Sequence, residues 1–127
     1  MSEYKFEEYN SVGGRIIPSI SLGTAGGFGI SAGFVKKYDL SNVVGVKLLI
    51  DKEKNAVGFK FIKAPESGMV KIKFAPNQGG GYISANAFLI KYDIEAKDFN
   101  GKYTPIEVNT GVDKMYIIEL KKHKPEE

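Results

Sequence analysis

The sequence predicts a mainly β fold with two short helices, in which two strand-helix-strand-turn-strand units form a small pseudo-twofold barrel. One observation behind this prediction is the supply of short runs rich in β-branched and aromatic residues, separated by glycine-containing turns. A second is an internal repeat. The chain has 127 residues, 43% of them hydrophobic, which is enough for one core and too few for two ordinary domains. We therefore expect a single domain.

The internal repeat relates residues 26–40 to residues 79–94. The first segment, "GGFGISAGFVKKYDL", returns as "GGGYISANAFLIKYDI" with one extra residue inside the helix. Ile-Ser-Ala and Lys-Tyr-Asp occur at matching places in both, so we interpret the chain as a tandem duplication. The predicted parts are an N-terminal arm (1–12), repeat one (15–62), repeat two (69–120) and a charged tail (121–127).

Each repeat contains one short helix of about two turns. We expect these helices at residues 32–38 and 86–92, with Ser31 and Ser84 placed to cap the free N–H groups of the first turn. Aromatic side chains recur at helical spacing, and we expect them to pack into the core. They are Phe34, Tyr38, Phe88 and Tyr92.

A β-hairpin is predicted after each helix. In the first, alternating apolar residues at 44–50 and 57–61 flank a turn at 51–55. In the second, "KYTPIEVN" and "KMYIIEL" are joined by a turn at 109–113. Pro105 indicates an edge position, because proline cannot donate to a sheet ladder.

The glycines of the first repeat invite comparison with a dinucleotide-binding turn. Gly27, Gly29 and Gly33 lie where a helix opens, and Asp51 follows at the distance of a ribose-binding acid. However, the helix is too short for a crossover between parallel strands. The second repeat also replaces two of the three glycines, with Tyr82 and Asn86. We therefore interpret the glycines as turn residues that permit positive φ.

The charge of the chain favours polyanionic partners. The formal net charge is +3 and the isoelectric point is about 9.0, and Arg15 is the only arginine among 18 basic residues. Lysines offer point-charge contacts to phosphate but not the bidentate recognition of guanine that arginine provides. Strand phase places four lysines on the sheet face opposite the core. They are Lys47, Lys60, Lys71 and Lys73.

Two interpretations of this lysine face remain open. It is either a solvated surface that keeps the sheet soluble and protects its edges, or a surface that contacts phosphates. On the second interpretation Arg15 adds a further phosphate contact. Phe28 and Tyr82, which follow glycine loops, are then the candidates for stacking on bases, although an aromatic residue covering a glycine across a strand explains them equally well.

Catalysis has little support in the sequence. The single histidine, His123, lies in the charged tail, and the chain has no cysteine. We expect a non-enzymatic protein with no cofactor and no metal, although a hydrolase built from distant Asp and Glu residues stays open. No signal-peptide or membrane-span pattern is present, so we expect a cytoplasmic protein without a membrane partner.

The order of elements resembles that of the AbrB and MazE-like swapped-hairpin proteins. The segment "GISAGFVKKYDLSNVVGVKLLIDKEKNAVGFKFI" is similar to one half of such a barrel, and "YISANAFLIKYDI" through "YIIEL" to the other. The family's usual Gly-Asp after the helix is Gly45-Val46 here, and its strand-helix arginines are absent. The resemblance implies an interleaved barrel within one chain and DNA binding of the transcription-factor or antitoxin kind.

Two functional hypotheses follow. The first is a small non-enzymatic nucleic-acid-binding protein, such as a DNA-binding regulator, with DNA favoured over RNA and phosphate contacts through the lysine face. The second is a structural or assembly module, a homo-oligomer or virion-type subunit, without any nucleic-acid role.

Overall fold

The computed structural model describes residues 18–40, 42–75, 79–110 and 113–122, and for Thr110 and Asp113 it describes the backbone only. Arg15, the 1–12 arm and His123 lie outside the described residues. The described chain is mainly β, with 44% strand and 16% helix, which confirms the predicted fold class.

Nine strands and three short helices make up the described chain. The strands are β1 (Ile20–Leu22), β2 (Gly27–Ile30), β3 (Gly45–Asp51), β4 (Ala56–Ile62), β5 (Val70–Phe74), β6 (Gly81–Ser84), β7 (Gly101–Tyr103), β8 (Ile106–Thr110) and β9 (Asp113–Glu119). The helices are α1 (Ala32–Lys37), α2 (Asn86–Lys91) and α3 (Ala96–Phe99). The sequence predicted two helices and missed the third, α3, because α3 has no counterpart in the repeat pattern.

All described strand pairs are antiparallel, and they form one sheet in the order β7-β1-β2-β6-β5-β3-β4-β9-β8. The two end strands of this order, β7 and β8, are consecutive in the chain and separated only by Thr104 and Pro105. The sheet must therefore curl to bring its two ends near each other, and it forms a half-barrel. Pro105 lies beside the edge strand β8, as predicted.

The core fills the inside of this curl. Phe28 on β2 and Phe59 on β4 are both fully buried, and their rings meet edge to face at 5.0 Å between centroids. Such pairs contribute about 0.5–1.5 kcal/mol beyond the burial of their area. The other fully buried large side chains are Phe34, Ile20, Leu22, Ile83, Ile118, Val46 and Val57.

The helices lie where the sequence predicts them, but only one has the predicted cap. Ser31 caps α1, since its hydroxyl oxygen accepts from the backbone N–H of Phe34 at 3.1 Å and from that of Ser19 at 2.9 Å. The prediction for Ser84 was wrong: Ser84 is the last residue of β6, and Ala85, with no side-chain acceptor, is the N-cap of α2. The extra residue in the second helical segment moves the serine away from the cap.

Both helices end in the same way. Asp39 and Asp93 adopt left-handed backbone conformations, with φ of 50° and 57°. The N–H groups of the residues that follow them, Leu40 and Ile94, then donate back to the carbonyls of Val35 and Leu89. The repeated Tyr-Asp pair thus marks helix termination.

Both predicted hairpins are present. β3 pairs with β4 from Gly45↔Ile62 to Asp51↔Ala56, and β8 pairs with β9 from Ile106↔Ile117 to Thr110↔Asp113. The order strand, strand, helix, strand, strand occurs in both halves, with α3 and β7 added in the second. Duplication of one ancestral unit stays a prediction, which superposition of residues 28–62 on 82–120 would test.

The glycine segment is a strand with a preceding turn. Gly26 has φ of +93° in the turn between β1 and β2, and Gly79 has φ of +78° before β6. Gly27 and Gly29 lie within β2, whose described partners β1 and β6 are antiparallel to it. A Cβ at Gly27 would overlap the ring of Tyr82. Gly27 is therefore required by a close side-chain approach, and the parallel strands of a dinucleotide-binding unit are absent from the described sheet.

Replacing each serine with alanine tests this difference between the two helices. Ser31→Ala should lower the free energy of unfolding by about 2 kcal/mol, because it removes a cap and leaves the buried Ser19 N–H without its acceptor. Ser84→Ala, at the matching place in the repeat, should change it by less than about 0.5 kcal/mol. Urea unfolding followed by circular dichroism measures both, and equal losses would contradict the assignment of the caps.

Candidate nucleic-acid interface

The four predicted lysines lie on the outer face of the sheet, opposite the core. Lys47 on β3 is the direct cross-strand partner of Lys60 on β4. Lys71 on β5 is opposite Gly45, which precedes Lys47 by two residues and so points to the same face. Lys73 lies two residues beyond Lys71 on β5. We call these four residues the lysine track.

Tyr82 extends the lysine track by one strand. It is the cross-strand partner of Lys73, and 47% of its surface is exposed. Its ring covers Gly27 on the neighbouring strand β2, which provides a flat support for the aromatic side chain. Tyr82 therefore presents an accessible aromatic face beside a lysine, as stacking on a base requires.

Phe28 does not share this surface, and the prediction that it contacts a ligand was wrong. It is fully buried and packs against Phe59 in the core. Strand alternation explains the difference, because Phe28 pairs with the inward-facing Ile83 while Tyr82 pairs with Gly29.

A cleft of about 720 Å³ continues from the track at one end of the half-barrel. Its walls come from the end of α1, the start of β3, the end of β4 and the start of β9. We call it the basic cleft, because five lysines and two carboxylates line it. They are Lys37, Lys47, Lys60, Lys63, Lys114, Asp39 and Glu66.

Aromatic rings form the inner wall of the basic cleft. Tyr38, Phe61 and Tyr116 line it, and the ring of Tyr116 lies 4.7 Å from that of Tyr38 and 5.7 Å from that of Phe61. The buried Phe34 packs behind them. The cleft therefore combines cationic side chains at its rim with an aromatic surface inside it, a combination found where proteins bind single-stranded nucleic acids.

Lys47 and Lys114 of the cleft are paired with carboxylates. Lys47 Nζ lies 2.7 Å from Glu66, with both side chains about half exposed, and Lys114 Nζ lies 3.5 Å from Glu107. Exposed ion pairs of this kind contribute about 0–1 kcal/mol. A phosphate can therefore replace Glu66 as the partner of Lys47 at little cost.

Tyr116 is the one titratable group of the described chain with a clear displacement of its pKa. Burial, the nearby charge of Glu107 and the neighbouring Tyr38 raise the pKa of Tyr116 to about 12. Glu107 is its direct cross-strand partner on β8. The phenol therefore stays neutral at any physiological pH and acts as a packed aromatic wall rather than as a base.

Within the described ranges, no three His, Cys, Asp or Glu side chains are grouped as a metal site would require. No described helix is long and apolar enough to cross a membrane.

The basic cleft contains residues that the sequence did not identify. Lys63, Lys114 and Tyr116 come from β9 and from beyond the end of β4, and the β4–β9 pairing brings these segments together. No local pattern marks such a cluster, because its members lie up to 79 residues apart in the chain, from Lys37 to Tyr116.

Comparison of the chain with protein-family models, curated proteins and solved structures finds no match. The AbrB/MazE-like relationship stays a hypothesis that depends on the quoted sequence segments alone.

The raised pKa of Tyr116 makes stability depend on pH in the alkaline range. The unfolded phenol ionises near pH 10, whereas the folded one keeps its proton until about pH 12. The contribution of Tyr116 to stability is thus fully present below pH 10 and is lost as the pH rises from 10 towards 12. Tyr116→Phe should abolish this part of the alkaline loss and remove a titration step near pH 12 in ultraviolet absorbance. Persistence of that step in the variant would contradict the assignment.

Proposed function

We propose that this protein is a small non-enzymatic nucleic-acid-binding protein that holds the phosphate backbone with the lysine track and the basic cleft. The observation that carries the proposal is the shared outer face of Lys47, Lys60, Lys71 and Lys73, which runs directly into the lysine-lined cleft. A surface of this kind binds through counterion release and has little sequence preference.

The arrangement favours a single strand over a duplex. Tyr82 stands at one end of the track, and the aromatic wall of the basic cleft lies at the other. Bases of an unpaired strand can stack on Tyr82 and reach the half-buried rings of Tyr38 and Phe61, whereas paired bases stay stacked within the helix. The DNA preference and the regulatory role expected from the AbrB/MazE-like resemblance form part of the proposal and have no support beyond that resemblance.

The alternative function is an assembly module without a nucleic-acid role. The feature that favours it is a row of apolar side chains on the outer face of the two hairpins, β3–β4 and β8–β9, in which Leu49 and Ile106 are exposed. On this alternative the lysines are a solvated surface, and the protein binds neither DNA nor RNA at low salt.

Replacing the four track lysines with glutamine tests the proposal directly. Fluorescence anisotropy of labelled single-stranded DNA, duplex DNA and RNA, at several salt concentrations, measures affinity and its salt dependence. The wild type should bind single strands best. The quadruple variant should weaken binding and lower the slope of log affinity against log salt by about 3, since each contact contributes about 0.7–0.9.

A matched control changes four exposed lysines away from the track and the basic cleft, Lys91, Lys97, Lys102 and Lys121, to glutamine. The net charge is the same in both variants, so equal losses would indicate a general charge effect and contradict a defined site.

Tyr82→Ala should weaken single-strand binding by roughly fivefold or more and leave duplex binding unchanged. Absence of binding by the wild type at low salt would overturn the proposal.

Removal of Glu66 should have the opposite effect. Glu66→Gln frees Lys47 from its ion pair and takes a negative charge from the basic cleft, so affinity should rise by about two- to fivefold at low salt. The rise should disappear at high salt, where exposed charges are screened. Glu95→Gln makes the same charge change at an exposed residue outside the cleft. An equal rise in that control would contradict a direct role for Glu66.

A further inference from the structure

The outer face of β3, β4, β9 and β8 carries an apolar row where an antiparallel sheet normally has polar residues. Leu49, Gly58, Ile117 and Ile106 are direct cross-strand neighbours across these four strands. Leu49 is 39% exposed and Ile106 is 51% exposed. Because the inner face of β3, β4 and β9 already packs on the core, their outer face should be polar unless another surface covers it.

The apolar row contains a depression of about 380 Å³. Its apolar lining includes Leu49, Ala56, Gly58, Ile106, Met115 and Ile117, and its charged lining is Asp51, Lys54 and Glu119. A Cβ at Gly58 would come within 2.8 Å of the Met115 sulfur, so glycine is needed to let Met115 lie over the strand.

Opposite charges flank the apolar row on its two sides. On one side the cross-strand neighbours are Asp51, Ala56 and Glu119, and Lys54 lines the depression beside them. On the other side the neighbours are Lys47 and Lys60, and Glu66 pairs with Lys47. Along β3 the face thus reads from acidic through apolar to basic, and the residues named on the two sides keep opposite net charges.

We infer that a second copy of this chain covers this face. The two copies stack face to face and are related by a twofold axis that runs parallel to the apolar row. The apolar row of one copy then lies on the apolar row of the other. The same rotation places the acidic side of each copy against the basic side of the other. Lys60 of the second copy then faces Ala56, with its stem in the depression and its ammonium group between Asp51 and Glu119.

This charge pattern is what identifies the occupant. A partner of uniform charge, such as a nucleic acid, would meet one side favourably and the other unfavourably. A second copy with its strands running in the opposite direction matches both sides at once. The patch spans four strands and about five residues along each, so a dimer would bury on the order of 1,000 Å² in total, near the lower limit for specific interfaces.

Lys60 belongs to both the dimer face and the basic cleft. Dimer formation and polyanion binding therefore compete for this side chain. The inference does not rest on the proposed nucleic-acid function, since the dimer can be measured with no nucleic acid present.

Sedimentation velocity across a concentration series tests the dimer. The wild type should change from monomer to dimer in the micromolar range. Ile106→Lys and Leu49→Lys should each raise the dissociation constant by about tenfold or more, because the twofold axis places the new charge in the interface twice. Ile90→Lys is the matched control: Ile90 is 72% exposed, but it lies on α2, away from this sheet face. The Ile90→Lys variant should dimerise at the same concentrations as the wild type.

A charge exchange tests the orientation of the two copies. The double variant Lys47→Glu, Lys60→Glu places carboxylates against Asp51 and Glu119 of the second copy, and the double variant Asp51→Lys, Glu119→Lys places ammonium groups against its Lys47 and Lys60. Each should be monomeric alone, whereas an equimolar mixture should dimerise, because both contacts are then between opposite charges. A wild type that stays monomeric at the highest concentration would overturn the inference. So would a dimer that survives both apolar variants, or a mixture that stays monomeric.

Discussion

The contact between Phe28 and Phe59 is the constraint on which the rest of the structure depends. These two fully buried rings meet across the inside of the curled sheet, from β2 to β4. Because strand residues alternate between faces, turning Phe59 inward turns Lys60 outward. The partner of Phe28 on β6, Ile83, likewise points inward, which leaves Tyr82 on the surface. The chemistry of the outer face is thus a consequence of how the core is packed.

The outer face is divided into regions of different chemistry. Towards β5 and β6 it is basic and ends at an exposed aromatic ring, the two features on which the proposed contact with phosphates and bases depends. Across β3, β4, β9 and β8 it is apolar at its centre, with opposite charges on the two sides. Lys60 lies where these regions meet. A shared residue of this kind would couple the oligomeric state of the protein to its occupancy by a polyanion.

Sequence periodicity predicted the features that depend on neighbouring residues, and it missed the features that depend on pairing between distant strands. The hairpins, the first two helices and the common face of the track lysines follow from alternation and turn chemistry alone. Phe28 was misplaced because its phase is set by pairing with β6, fifty-five residues away. Ser84 was misassigned because one extra residue separates it from the helix start. The basic cleft could not be predicted, since the β4–β9 pairing that assembles it leaves no local pattern.

The central claim is that core packing decides which residues of each strand point outward, and that this places the track lysines on one binding face. Lysine-specific chemical labelling, with mass spectrometry and with or without single-stranded DNA, tests it residue by residue. The account predicts protection of Lys47, Lys60, Lys71 and Lys73, together with the other cleft lysines, and unchanged labelling at Lys97 and Lys102. Equal protection of all lysines, or protection confined to Lys97 and Lys102, would contradict it.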